Sequence, residues 1–183
     1  MPPVPPIRGR AAASLTYDEY REIRFRRDAA PWSPMLPFEL QLDHPGAEQS
    51  TPVHVSVVSS GVSRTLEFDP DDFDYDGSVD ARSLGLEGES GREVGYGGLR
   101  ILARMNDPDH LDEIASFRGA SYCRLIGPDH VYGTSLRGIA LNTAEPTPEE
   151  FPEFVRFWVE EPAPGDSLLV LHALLDGPSV SGA

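Results

Sequence analysis

The sequence has no lysine, a single cysteine and no long apolar run, and each shortage excludes something. With only Cys123, the chain can close no internal disulfide and build no cysteine-based zinc site. That thiol sits between Tyr122 and Arg124 in a strand-like segment and reads as a buried, inert group rather than a nucleophile. No stretch reaches the ~18 consecutive apolar residues that cross a bilayer as a helix, so membrane insertion is not expected. The opening Met1-Pro-Pro-Val-Pro-Pro-Ile-Arg8 lacks the apolar core of a secretory leader. All 15 basic residues are arginine, against 30 acidic ones, for a formal charge of -15. A surface of that sign repels nucleic acid and anionic lipid, leaving a neutral partner or plain solubility as its use.

What is present points to strands. The 183 residues suffice for one domain or part of one, and the apolar content is broken into short runs by 18 prolines and 17 glycines. Residues 1–14 are rich in Pro and Ala and are expected to be disordered. Thr16 with Glu19 matches a capping box, which predicts a short helix from Tyr17 to Phe25, stapled by Leu15 against Tyr20. Pro31, Pro34 and Pro37 then force an extended crossing into a strand at Phe38–Leu42. In Val53-His-Val-Ser-Val57 apolar and polar residues alternate with the period of two that marks a half-buried strand. Further strands are expected near 65–68, 98–104, 114–118, 122–126, 136–141, 154–160 and 167–175. The acidic, Gly-rich run from Asp69 to Gly91 reads as loop, and Pro148 after Thr147 predicts a single helical turn. One helix, about nine strands and no βαβ alternation imply an antiparallel β-sandwich.

Several motifs fall short of a chemistry. Asp72-Phe-Asp-Tyr-Asp-Gly77 matches the first half of a calcium loop, but its twelfth position holds Ser83 where a bidentate Glu is required. The five histidines offer no ligand pair at helical spacing, so no metal is expected. Gly133-Thr-Ser-Leu-Arg-Gly138 places its second Gly one residue late for a nucleophile elbow. Gly95-Tyr-Gly-Gly98 lacks the rest of a dinucleotide fingerprint and reads as a tight turn, so no cofactor is expected.

The densest signal lies between Phe117 and Trp158. Three strand-like segments joined by short turns put Tyr122, Arg124, Tyr132, Arg137 and Trp158 on neighbouring elements. Aromatic rings can cover the apolar faces of sugars while Arg, Asn and Ser hydrogen-bond the hydroxyls. Core packing with strand-surface ion pairs would use the same residue types, and periodicity leaves Tyr122, Tyr132 and Arg137 open between the two. Trp158 and Phe154 read as core.

The order of these segments resembles the periplasmic glucan biosynthesis proteins of the MdoG/OpgG type. The likeness is carried by Leu15-Thr-Tyr-Asp-Glu-Tyr-Arg-Glu-Ile-Arg-Phe-Arg26, Leu36-Pro-Phe-Glu-Leu-Gln-Leu42 and His44-Pro-Gly46. It continues through Gly119-Ala-Ser-Tyr122, Tyr132-Gly133 through Arg137-Gly138, and Leu174-Leu-Asp-Gly-Pro-Ser-Val-Ser-Gly-Ala183. It implies a galactose-mutarotase-like, carbohydrate-binding sandwich, of which residues 15–183 form the first part. It further implies a periplasmic location and a β-linked glucan as partner, with Tyr122, Arg124, Tyr132, Arg137 and Asn142 as carbohydrate-binding residues. Asn142 stands where the family usually has an acid, and an amide neither gives nor takes a catalytic proton near neutrality.

Two other functions stay open. An inverting β-1,2-glucanase would need paired carboxyls about 6.5–9.5 Å apart. Asp112, Glu113 and Asp129 are the acids at loop edges that could contribute, although the resemblance places the family's acids beyond Ala183, and no catalytic residue is expected here. A protein-interaction sandwich would instead show exposed apolar edges. The run Leu168-Leu-Val-Leu171 suits a strand covered on both faces, so an incomplete sandwich is expected to self-associate through an open edge.

Overall fold

The structure, a computed structural model, describes residues 14–32, 34–46, 51–77, 79–86, 94–119, 121–130 and 134–182. The expected disorder of residues 1–14 therefore lies almost wholly outside the described residues, as does Tyr132.

The capping box forms as the sequence dictates. Glu19 N–H donates to Thr16 Oγ1 at 3.3 Å, and the Glu19 carboxylate accepts from Thr16 N–H at 2.8 Å, opening helix α1 at Tyr17–Arg21. The helix ends earlier than expected. Residues Ile23–Phe25 are instead strand β1, paired antiparallel with β5, Phe73–Tyr75, inside the segment expected to be loop. The cause is apolar burial: Phe25 and Phe73 pack edge to face at 5.5 Å between ring centres, and each is nearly sealed from water. Two phenylalanines at paired positions outweigh the acidic residues around them.

Two five-stranded sheets carry the rest. In the first, the order is β12 (Ser181–Gly182), β11 (Leu171–Asp176), β10 (Glu153–Glu160), β3 (His54–Ser59), β4 (Val62–Leu66). In the second it is β2 (Phe38–Asp43), β6 (Gly98–Ala103), β7 (Asp112–Arg118), β8 (Tyr122–Leu125), β9 (Thr134–Arg137). The protein is mainly β and its sheets are antiparallel, consistent with a sandwich, with one departure: β10 and β3 run parallel, joined by a crossover that includes β6 to β9 of the second sheet. The sheets meet where Phe117 of β7 lies 6.0 and 5.7 Å from Phe154 and Phe157 of β10. Around these rings Leu40, Val55, Leu99, Phe157 and Val159 are fully excluded from water.

Two local expectations fail. Residues 167–170 are not strand, and Leu168 and Val170 are exposed, so this apolar run is not covered on both faces. Nor is there a helical turn after Thr147; a bridge between Leu141 and Glu150 closes an irregular loop there. Among the described residues no helix is long and apolar enough to cross a membrane.

Candidate functional site

Side-chain alternation sorts the second sheet into two faces. Leu40, Leu42, Leu99, Ile101, Ala115, Phe117, Cys123 and Leu136 occupy mutually paired inner positions. The outer positions align as two rows. One runs Asp43, Gly98, Arg118, Tyr122, Arg137 across all five strands; the next runs Gln41, Arg100, Ser116, Arg124, Ser135. Three of the five residues expected from the sequence, Tyr122, Arg124 and Arg137, thus share one face and one neighbourhood.

Charge on this face is neutralised in place. Asp43, buried to 3 %, receives a hydrogen bond from Arg118 Nε at 2.7 Å on one oxygen and faces Arg100 Nε at 2.9 Å on the other. Gly98 between them is required: a Cβ there would stand 2.4 Å from the Phe117 carbonyl oxygen and 3.2 Å from Asp43 Oδ2. Burial works to lower the Arg118 pKa, but the charge and hydrogen bond of Asp43 more than offset it, so the guanidinium stays charged.

At the other end of the row the Arg137 guanidinium lies 5.9 Å from the Tyr122 ring centre and 5.1 Å from that of Phe151. It is held there by an ion pair with Glu149, and that bond raises its pKa. The Tyr122 ring remains about half exposed. Two left-handed residues, Gly119 and Ser121, turn the chain between β7 and β8 and deliver Tyr122 to this position.

Asn142 does something else. Its backbone is left-handed, a conformation Asn tolerates, and its amide donates to the Pro148 carbonyl at 3.4 Å. It braces the loop that carries Glu149, the ion-pair partner of Arg137. Cys123 points inward in register with Phe117 and Leu136, and burial pushes its thiol pKa up.

A cavity of about 390 Å³ opens on this face, its lining including Glu113, Ser116, Arg118, Tyr122, Arg124 and Ser135. A second, of about 530 Å³, adjoins it through Arg118 and runs beneath α1 and β1. Sequence reading missed Asp43, Arg100 and Arg118. The alternation in Phe38-Glu-Leu-Gln-Leu-Asp43 and Gly98-Leu-Arg-Ile101 carried the signal, because polar residues at every second position of paired strands must share a face.

Helix α1 and β1 seal the far edge. Tyr20 donates its hydroxyl to the His44 carbonyl at 2.9 Å, and burial, then Asp43, pushes its pKa up to about 12. His44 is packed among Phe68, Phe73 and Tyr75 at 5.1 to 5.6 Å. Its Nδ1 lies 2.6 Å from the Pro45 carbonyl, an acceptor only, so Nδ1 carries a proton, and burial, which lowers the pKa to about 4, keeps the ring neutral near pH 7. No group of His, Cys, Asp and Glu among the described residues is arranged to hold a metal.

The family model described as "Periplasmic glucan biosynthesis protein, MdoG" matches residues 4–183. This chain belongs to that family. Among curated relatives, glucans biosynthesis protein G of Vibrio cholerae is 44% identical over 172 residues, covering 93% of this chain and 30% of that protein. The Pseudomonas putida protein of the same name is 41% identical, with 92% and 29% covered, and that of Shewanella frigidimarina 42%, with 99% and 31%. The chain thus spans about three-tenths of the length of the curated relatives it matches.

Proposed function

We propose that this chain is the carbohydrate-binding portion of a periplasmic glucan biosynthesis protein. It would hold a β-linked glucose backbone against the outer face of the second sheet. The observation that carries this reading is the group Arg118, Tyr122, Ser116, Arg124 and Ser135 lining one cavity, with Arg137 beside Tyr122 on the next strand. An exposed ring supplies an apolar stacking surface, and the neighbouring guanidinium and hydroxyl groups supply donors and acceptors for sugar hydroxyls. Because the Arg137 charge is already met by Glu149, and Ser116, Ser135 and Tyr122 supply uncharged hydroxyls, the site suits a neutral, hydroxyl-rich chain. The family supports a periplasmic location for it.

Binding is favoured over hydrolysis by the acids present. Glu113 is the one carboxylate among the described lining residues of the first cavity, whereas inversion requires an acid and a base. Asp112 accepts from the Asn106 backbone N–H, and Asp129 sits on a turn tied to Asn106. Calorimetric titration with linear β-1,2-glucan tests the reading. Tyr122→Ala and Arg137→Ala should each weaken binding by about 1–3 kcal/mol while leaving the fold intact. Unchanged affinity in correctly folded variants removes both from the site.

A further inference from the structure

The two cavities that meet at Arg118 differ in chemistry. The first mixes donors and acceptors, with Ser116, Ser135, Tyr122 and Glu113 beside its arginines. The second gathers Arg21, Arg24, Arg27, Arg100 and Arg118 around one carboxylate, Asp43, among its described lining residues. In a chain of net charge -15 with 15 arginines in all, a third of them face this one hollow.

Their donors are only partly used. Arg27 is committed to Glu39, with hydrogen bonds at 3.1 to 3.4 Å. Arg24 reaches Asp76 only at 3.7 Å, with both side chains well exposed. Arg100 pairs with Asp43 through Nε at 2.9 Å and with Glu113 through Nη1 at 3.6 Å, so Nη2 is its donor without a partner among the described residues. Arg118 spends Nε on Asp43, and its terminal amino groups have no partner among the described residues. Arg21 lies 5.7 Å from the Tyr17 ring centre and has no ionic partner among the described residues. Gln41, the amide in this wall, turns its own donor to Glu39 at 2.6 Å. What remains is a concave surface rich in N–H groups and poor in acceptors.

A sugar hydroxyl both gives and accepts, and gains little from a wall of donors alone. An oxyanion offers several acceptor oxygens and matches the planar guanidinium fork. We infer that the hollow beneath α1 and β1 is an oxyanion site, for a phosphate or carboxylate group held by Arg118, Arg100 and Arg21. The oxyanion is either free or borne on a sugar in the adjoining cavity. The inference does not depend on the neutral-glucan reading, since a different cavity and a different ligand charge are involved.

The test is titration of the intact chain with inorganic phosphate, glucose 6-phosphate and glucose, followed by calorimetry and by backbone amide shifts. Saturable phosphate binding with shifts at Arg21, Gln41 and Arg100 is expected. Arg21→Gln should weaken it about tenfold, the loss of one charge-assisted hydrogen bond. Arg64→Gln, on exposed β4 in the other sheet, should leave it unchanged. Arg118→Gln should weaken it more, but it also uncovers Asp43, so the exposed Arg21 variant decides. Tighter binding of glucose 6-phosphate than of phosphate identifies a sugar-borne anion, and equal binding a free one. Absence of saturable phosphate binding, equal losses in Arg21→Gln and Arg64→Gln, or glucose binding as tightly as glucose 6-phosphate would each overturn the inference.

Discussion

The second sheet has two ends built from the same alternating pattern, and they behave oppositely. At the β2–β6 end the inner residues Leu40, Leu42, Leu99 and Ile101 are at most 3 % exposed, whereas Leu125 and Leu136 at the β8–β9 end are above 40 %. The outer faces differ as well. Over β2 the cover of α1 and β1 leaves Glu39, Gln41 and Asp43 buried and therefore bound to arginine or to one another. Over β8 only the Arg137 guanidinium approaches the Tyr122 ring among the described residues, and the side chain stays about half exposed. Alternation fixes which face a side chain takes; the neighbouring layer decides whether that face is sealed. The covered end holds its carboxylates in ion pairs beside the hollow under α1 and β1, and the open end leaves the Tyr122 ring half exposed.

Substitutions should break this contrast unequally. Phe157→Ala, at the fully buried junction of the two sheets, should cost about 3–5 kcal/mol through lost burial and a residual cavity, measured by urea denaturation. Asp43→Asn leaves Arg100 and Arg118 without their shared carboxylate and should cost about 3 kcal/mol by the same measurement.

Acid sharpens the comparison within the sealed end. Burial pushes the His44 pKa down from 6.5 to about 4, with its bond to Pro45 opposing. The unfolded chain takes up that proton first, so this group withdraws stability as pH falls from 6.5 towards 4. Asp72 acts in reverse: burial, then the charge of Asp69, raises its pKa from 3.8 to about 6. Here the folded state protonates first, so stability is gained as pH falls from about 6 to 3.8. The two oppose each other over nearly the same window. Asp72→Asn should steepen the loss of stability on acidification from pH 6 to 4, and His44→Gln should flatten it. Parallel denaturation midpoints for the two variants against pH would contradict these assignments.

The smallest effect belongs to the open end. Leu136→Ala should change stability by no more than about 0.5–1 kcal/mol, because the residue is already nearly half exposed. A loss as large as that of Phe157→Ala would mean that something covers this leucine in solution.

Much of this architecture was legible in the residues. Thr16 and Glu19 announced the helix start because a capping box is local chemistry, and alternating valines located β3. The helix end was misjudged because Ile23 and Phe25 fit either a helix face or a strand, and only the distant partner Phe73 decides between them. β5 was missed for the same reason, its acidic neighbours reading as loop. The parallel pairing of β10 with β3 joins residues about a hundred positions apart and leaves no local mark. At the site, Tyr122, Arg124 and Arg137 were visible as types and spacing. Asp43, Arg100 and Arg118 were not, since their meaning lies in cross-strand register over Gly98. The left-handed backbone of Asn142 and its bond to Pro148 belong to the folded loop and leave no mark in the residue type alone.

The most direct test of the account is a map of backbone amide shifts on adding linear β-1,2-glucan to the intact chain. Saturable changes confined to the outer-face strands around Ser116, Arg118, Tyr122, Arg124 and Ser135 are the expected result, with Val55, Val57 and Phe157 of the first sheet unmoved. Shifts centred on the first sheet, or no saturable shifts at all, would contradict the claim that the open end of the second sheet is where this protein meets its glucan.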